Sequence, residues 1–304
     1  MDPITRAVLR SWEWRPEVII VIVVAGSLYF MGWRRLRRRS RHGQGLATRW
    51  RLASYWGGLV VLGLALMSPI DVLGTQFFFV HMIQHMLLIM GAAPLLMVAN
   101  PMPFMLWGLP TPLRRRVGGW LSRLLHRKSS TRHYLRSFTN SGLVWMVYVF
   151  ILLGWHDPSA YNATLRIRWI HDLEHITFFL AAMFYWWRIT DAAPHIQKRM
   201  SRTAQIAYTL AAIPPNMLLG VAISFAEQVI YTYYLDVPRI WGIGVLDDQR
   251  LGGVIMWVPG SMMYIIVVLI IAARWLIEEE KKPPLPIAQL STEKEMMAPG
   301  FERQ

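Results

Sequence analysis

Five histidines carry most of the chemistry this sequence offers. His81 and His85 lie four residues apart inside the apolar run TQFFFVHMIQHMLLIMGAAP. His171 and His175 repeat that spacing in HDLEH, and His156 stands between the two pairs in WHDP. Residues four apart on a helix differ by about 40° around it and about 6 Å along it, so each pair can face one centre. Gln84 shares the face of the first pair and Glu174 that of the second. Neutral imidazole ligates copper, zinc, iron and nickel, and a ligating ring commonly gives its other N–H to a carboxylate or carbonyl. Asp71, Asp157, Asp172 and Glu174 are the carboxylates available for that supporting role. Met82, Met86 and Met217 add thioethers, which suit cuprous copper. Methionine is also an ordinary filler of apolar cores, and Met82 and Met86 sit about 100° from the histidines on the helix wheel. The chain has no cysteine, so thiolate sites and disulfides are excluded.

Three readings of the histidines stay open from the residues alone: ligands of a metal ion, axial ligands of a haem, or a polar network that conducts protons. HDLEH also matches the His-x-x-Glu-His pattern of inverted zinc peptidases, a short pattern that by itself supplies neither a further ligand nor substrate access. His126 and His133 fall in a basic loop and are expected to be solvated.

The elements that must position these residues are membrane spans. The 304-residue chain is 54% hydrophobic, with 15 Trp and a mean hydropathy of +0.32, which is the composition of a polytopic membrane protein. A helix needs about 20 apolar residues to cross a bilayer. Seven segments approach that length, at 17–33, 52–70, 77–99, 141–155, 170–187, 204–225 and 253–275, with the fourth starting nearer 138. The expected fold is an all-α bundle of seven transmembrane helices over residues 1–276, its first run retained as a span.

Basic residues orient the bundle. Stretches 34–51, 100–141, 188–203 and 274 onward hold eight, eight, four and five Lys or Arg, against three, two and two in the alternate stretches. This places the amino terminus outside and the carboxyl terminus in the cytoplasm. A nucleic-acid partner is disfavoured, because the basic runs lie between hydrophobic segments. The loop near 112–138 mixes Leu and Trp with Arg at helical spacing and is expected along the cytoplasmic membrane surface, while the charged, Pro-rich tail 277–304 reads as disordered. Trp33, Trp56, Trp107, Trp155, Trp169, Trp186 and Trp187 lie near span ends, as interfacial anchors do. Pro214 and Pro215 interrupt the sixth span and Pro259 the seventh; Asn216 is placed to satisfy a freed carbonyl.

On this topology His81, His85, His156, His171 and His175 reach one depth near the outer face. Below them the third and fifth spans are apolar, which argues against a path across the membrane.

The segments SPIDVLGTQFFFVHMIQHMLLIMGAAPLL, GWHDPSAYNATLRIRWIHDLEHITFFLAAMFYWW and IPPNMLLGVAISFAEQVIYTYY resemble, as an ordered set over residues 52–275, the multi-span CtaG family of cytochrome c oxidase assembly factors. The family's histidine motifs fall on His81, His85, His156, His171 and His175. A single-span copper chaperone of the same name uses cysteines and is not the likeness meant. The resemblance implies a non-enzymatic role in maturing a haem–copper oxidase, with copper insertion as one form of it. It further implies partners among oxidase subunits or other assembly factors, in the bilayer of the bacterial cytoplasmic (inner) membrane. The rivals are a haem-binding or haem-modifying membrane protein, a copper or proton transporter, and a scaffold for oxidase subunits whose histidines are only structural.

Overall fold

The computed structural model describes residues 3–39 and 45–282, and these contain helices and no strand. The tail expected to be disordered lies, from residue 283, outside the described residues. A short helix α1 (Pro3–Arg10) leads into α2 (Pro16–Arg39), and α3 (Arg49–Met67) follows. Span two ends at Met67 and not at 70, because Ser68 caps a separate short helix α4 (Pro69–Gly74), with its Oγ accepting from the Ile70 N–H. Asp71 therefore sits on α4, outside the spans.

Helix α5 runs over Phe78–Val98 and carries His81 and His85. Its middle, Leu87–Ala92, is a π-helical turn in which the Ala93 N–H reaches back to the Leu88 carbonyl. The next link in that pattern would come from residue 94, which is proline and has no N–H. The Ile89 carbonyl thus left over is taken by the Trp186 indole N–H at 2.8 Å. Trp186 is therefore buried inside the bundle, not an interfacial anchor, whereas Trp169 and Trp56 are exposed.

Helices α6 (Pro101–Gly108), α7 (Thr111–Leu124) and α8 (Ser130–Phe138) form the basic loop region, and neither α7 nor α8 buries a residue. Next come α9 (Ser141–Trp155), α10 (Pro158–Arg166) and α11 (Arg168–Thr190), the last carrying His171, Glu174 and His175. Helix α12 (Arg202–Ser224) is broken at Ala211–Ala212, so that Pro214 and Pro215 open its second half, where no donor is needed. Helix α13 (Val245–Glu280) crosses α12 where a Cβ on Gly253 would come within 2.7 Å of the Gly220 carbonyl oxygen, so only glycine fits that approach. Asn216 bonds a carbonyl of α13 and not one in its own helix: its Nδ2 donates to Met256 O at 2.8 Å, next to Ile255, whose carbonyl Pro259 leaves without its helical donor.

Five helices, α2, α3, α5, α12 and α13, are long and apolar enough to cross a membrane. Helices α8 and α9, bent by 49°, make a sixth if they form one span. Helix α11 has the length, with 23 residues, but its opening turns hold Arg168, His171, Asp172, Glu174 and His175. The polar groups of the site lower the hydropathy of the helix that carries it. At the end of the bundle far from these residues lies an apolar cleft of 650 Å³ among α2, α6, α7, α8 and α11.

Candidate metal centre

The structure brings all five histidines together. Ring centroids lie 4.4 Å apart for His81 and His85, 4.2 Å for His171 and His175, 5.3 Å for His81 and His171, and 5.3 Å for His85 and His175. His156, the residue that ends α9, closes the group at 6.2 Å from His85. One ligand atom from each of His81, His171, Glu174 and His175 lies within 4.8 Å of the others. Glu174 is thus in the centre of the cluster, where the sequence reading gave it a supporting place beside a pair. It is fully buried, as is His81.

Hydrogen bonds fix how two of the rings face. The Tyr234 hydroxyl donates its one proton to the Gly74 carbonyl at 2.9 Å, so it can only accept from Tyr161, 3.0 Å away. Tyr161 in turn has spent its proton and must accept from His81 Nδ1 at 2.9 Å. The proton of His81 is therefore on Nδ1, and its Nε2 lone pair faces inward. His156 is set the same way, because its Nδ1 lies 2.7 Å from the Leu152 carbonyl, an acceptor only. Two imidazoles present lone pairs, not N–H groups, to the centre, which is the state a metal ligand needs.

No group among the described residues uses those lone pairs. Among the described residues thirteen buried side-chain nitrogen or oxygen atoms lack a hydrogen-bond partner. Nine belong to this cluster: His81 Nε2, Gln84 Oε1, both nitrogens of His85 and of His175, His156 Nε2, and both oxygens of Glu174. Buried polar atoms are normally satisfied, so such a concentration marks a site built for something the chain itself does not supply. His81 Nε2 lies 3.6 Å from Glu174 Oε2, too far for a hydrogen bond. Two ligands each about 2.1 Å from a tetrahedral ion are about 3.4 Å apart. The donor set and its spacing fit a metal ion.

Around the cluster the carboxylates behave differently from one another. Asp71 reaches it only through Gln84, whose Nε2 donates to Asp71 Oδ1 at 2.6 Å and to the Ala65 carbonyl at 2.8 Å. The other Asp71 oxygen takes Arg15 at 3.0 Å, and Arg15 also donates to Asp172 at 2.8 Å. Asp172 thus belongs to an ion pair at the rim. Burial pushes the Asp71 carboxyl up to about 6, against the opposing pull of Arg15 and Gln84. Asp157 does not join the site; exposed, it caps α10 by accepting from Ser159 and Ala160 N–H groups. Met82 and Met86 line a cavity of 20 Å³ beside His85 and His156, whereas Met217 is 40% exposed and points away from the cluster.

Arg15, Tyr161, Tyr234 and Tyr231, whose hydroxyl donates to the His156 carbonyl at 3.2 Å, adjoin the cluster although no local sequence pattern singles them out. Arg15, buried before the first span, walls a vestibule of 300 Å³ with Glu13, Asp71, Arg168 and His171. In trans, Asp248 of α13 accepts from the Phe78 and Phe79 N–H groups at 3.1 and 2.9 Å, fixing the start of α5. Inward of the cluster the bundle is less apolar than the third and fifth spans alone imply. Tyr148 and Tyr264, hydroxyls 2.6 Å apart, are buried there, as are Asn216, Thr209 and Gln205, all from α9, α12 and α13.

Taken together, the fold and site define a helical membrane protein with a buried histidine–carboxylate centre near one face. The chain belongs to the cytochrome c oxidase caa3 assembly factor family, whose model matches residues 27–278. Uncharacterised proteins of Mycobacterium bovis and Mycobacterium tuberculosis are each 26% identical over 262 residues, which are 84% of this chain and 38% of theirs. One of Mycobacterium leprae is 26% identical over 253 residues, 80% of this chain and 36% of its own. The chain thus spans well under half the length of these curated relatives. No solved structure matches it.

Proposed function

We propose that the chain assists assembly of a haem–copper oxidase by holding copper, as cargo, on His81, Glu174, His171 and His175 and releasing it to an oxidase subunit or a further assembly factor. The observation that carries this is the concentration of nine unpartnered buried polar atoms in one cluster, with the His81 lone pair turned inward by its own hydrogen bond. Imidazole and carboxylate without cysteine is a copper-competent set. We place the protein in a bacterial cytoplasmic membrane as seven spans, counting α11 and the α8–α9 pair, with the cluster at the outer face. The excess of Lys and Arg in 34–51, 100–141, 188–203 and beyond 274 supports that orientation.

The reading is non-catalytic: copper is bound and passed on, and no covalent bond of a substrate is made. A peptidase needs its glutamate beside substrate and water, and Glu174 is fully buried, with only His171 of the cluster reaching the vestibule. Dimensions favour an ion over haem, since imidazole rings 4.2–6.2 Å apart and a 20 Å³ cavity leave no slot for a macrocycle among the described residues. A scaffold with purely structural histidines would satisfy the inward nitrogens too, yet among the described residues His81 Nε2, His156 Nε2 and both nitrogens of His85 and His175 have no protein partner. Ligands come from α5 and α11, so a partner that shifts one against the other opens the shell. Copper measured by elemental analysis in purified protein tests the assignment. Less copper in His171→Ala/His175→Ala than in wild type is expected; equal copper in both overturns it.

A second reading, copper transport across the bilayer, draws support from the buried Tyr148, Tyr264, Asn216, Thr209 and Gln205 inward of the cluster. Copper accumulation in proteoliposomes carrying the protein would favour it.

A further inference from the structure

We propose that the cluster holds two cuprous ions bridged by Glu174: an outer one on His81, His171 and His175, and an inner one on His85 and His156. The proposal rests on the copper reading above and goes beyond it in number, placement and oxidation state.

Glu174 reaches in two directions. Its Oε2 is 3.6 Å from His81 Nε2 and its Oε1 is 3.6 Å from His85 Nε2. Both gaps are too long for hydrogen bonds and both match the separation of two ligands on one tetrahedral ion, about 3.4 Å. The carboxylate thus has one oxygen for each of two positions.

Counting ligands leads to the same place. His81, Glu174, His171 and His175 fill the four places of a tetrahedral shell. After that, both nitrogens of His85 and Nε2 of His156 remain buried with no partner. The Leu152 carbonyl holds the His156 proton on Nδ1, so its Nε2 is a free lone pair. Beside these two rings lies the 20 Å³ cavity, roughly the room of one small ligand, lined also by Met82, Met86 and Asn216. The inner position is therefore the softer of the two, with thioethers next to imidazoles, and soft ligands select cuprous copper.

Charge decides the oxidation state. Among the described residues Glu174 is the one carboxylate in the cluster; Asp71 stands behind Gln84, and Asp172 is paired with Arg15. Two monovalent ions against one carboxylate leave a single positive charge, whereas two divalent ions leave three in a buried site, at far higher cost.

The test loads the purified full-length protein anaerobically with Cu(I), removes excess with a competing chelator and measures copper per chain. Two ions are expected in wild type and one in His85→Ala/His156→Ala. One ion in wild type overturns the inner position and leaves the copper reading standing; none overturns both. Two ions in both proteins overturn the placement. X-ray absorption on loaded wild type requires no variant. Copper–copper scattering within about 4 Å is expected, and two ions without it overturn the Glu174 bridge.

Discussion

The Tyr161 hydroxyl accepts the Nδ1 proton of His81 at 2.9 Å and thereby sets which nitrogen of that ring faces Glu174. The phenol owes this role to Tyr234, which accepts the Tyr161 proton because its own is committed to the Gly74 carbonyl. A ligand that must keep one tautomer loses affinity when the group orienting it is removed. Tyr161→Phe is expected to weaken copper binding about 10- to 100-fold while copper per chain at saturation is unchanged. Tyr234→Phe leaves Tyr161 free to turn its proton toward His81 and is expected to weaken binding as well. Competition with a chelator of known affinity measures both, and wild-type affinity in Tyr161→Phe would contradict the relay.

Arg15 ties the segment before the first span to the site through Asp71 and Asp172. Asp71→Ala leaves the guanidinium short of one buried carboxylate and Gln84 with the Ala65 carbonyl alone. A loss of about 1.5–3 kcal/mol in stability is expected, the worth of a hydrogen bond to a charged group. Thermal unfolding in detergent reads it, and Asp71→Asn, which keeps an acceptor for Gln84, is expected to lose less.

The same carboxyl gives a pH signature. Burial raises Asp71 to about 6 in the folded chain from an ordinary 3.8. The folded state therefore holds this proton more tightly than the unfolded state, and the contribution of Asp71 to stability falls as pH rises from 3.8 to 6. Asp71→Asn lacks that dependence. The difference in unfolding free energy between wild type and Asp71→Asn is expected to move against wild type by about 1–3 kcal/mol between pH 4 and pH 6.5. A flat difference would show that the Arg15 pair keeps the group ionised throughout.

How much of this was legible in the sequence depends on the distance over which each contact forms. The His81/His85 and His171/His175 pairs were legible because helical spacing is local, and their common depth followed from span order. Helical spacing puts Glu174 on the right face but does not show that it stands at the centre. Only the meeting of α5 with α11 puts its two oxygens between His81 and His85. Arg15 to Asp172, Tyr161 to His81 and Tyr234 to Gly74 join residues 157, 80 and 160 positions apart, and no local pattern encodes them. Asp157 misled because a carboxylate next to a histidine is also a good helix cap. Met217 is 40% exposed on α12, which spacing along the chain does not reveal. Pro94 lies in the same apolar run as His81 and His85, but its effect, a π turn and a carbonyl for Trp186, needs the neighbouring helix.

The Ile89 carbonyl couples the π turn of α5 to α11. The π turn at Leu87–Ala92 begins two residues after His85, so it sets the rotation of the lower half of α5 against the half that carries His81 and His85. Trp186 holds it by donating to Ile89 O from α11, the helix that carries His171 and His175. The bond therefore ties together the two helices that carry the histidine pairs. Trp186→Phe keeps an aromatic ring in place but leaves Ile89 O without its donor, at an expected cost of about 1–3 kcal/mol. Because the change lies on both ligand-bearing helices, copper affinity is expected to fall along with the unfolding temperature. Trp169→Phe, at an exposed position on the same helix, is expected to change neither. Equal loss of affinity in both variants would show that Trp186 acts through general packing and not through this hydrogen bond.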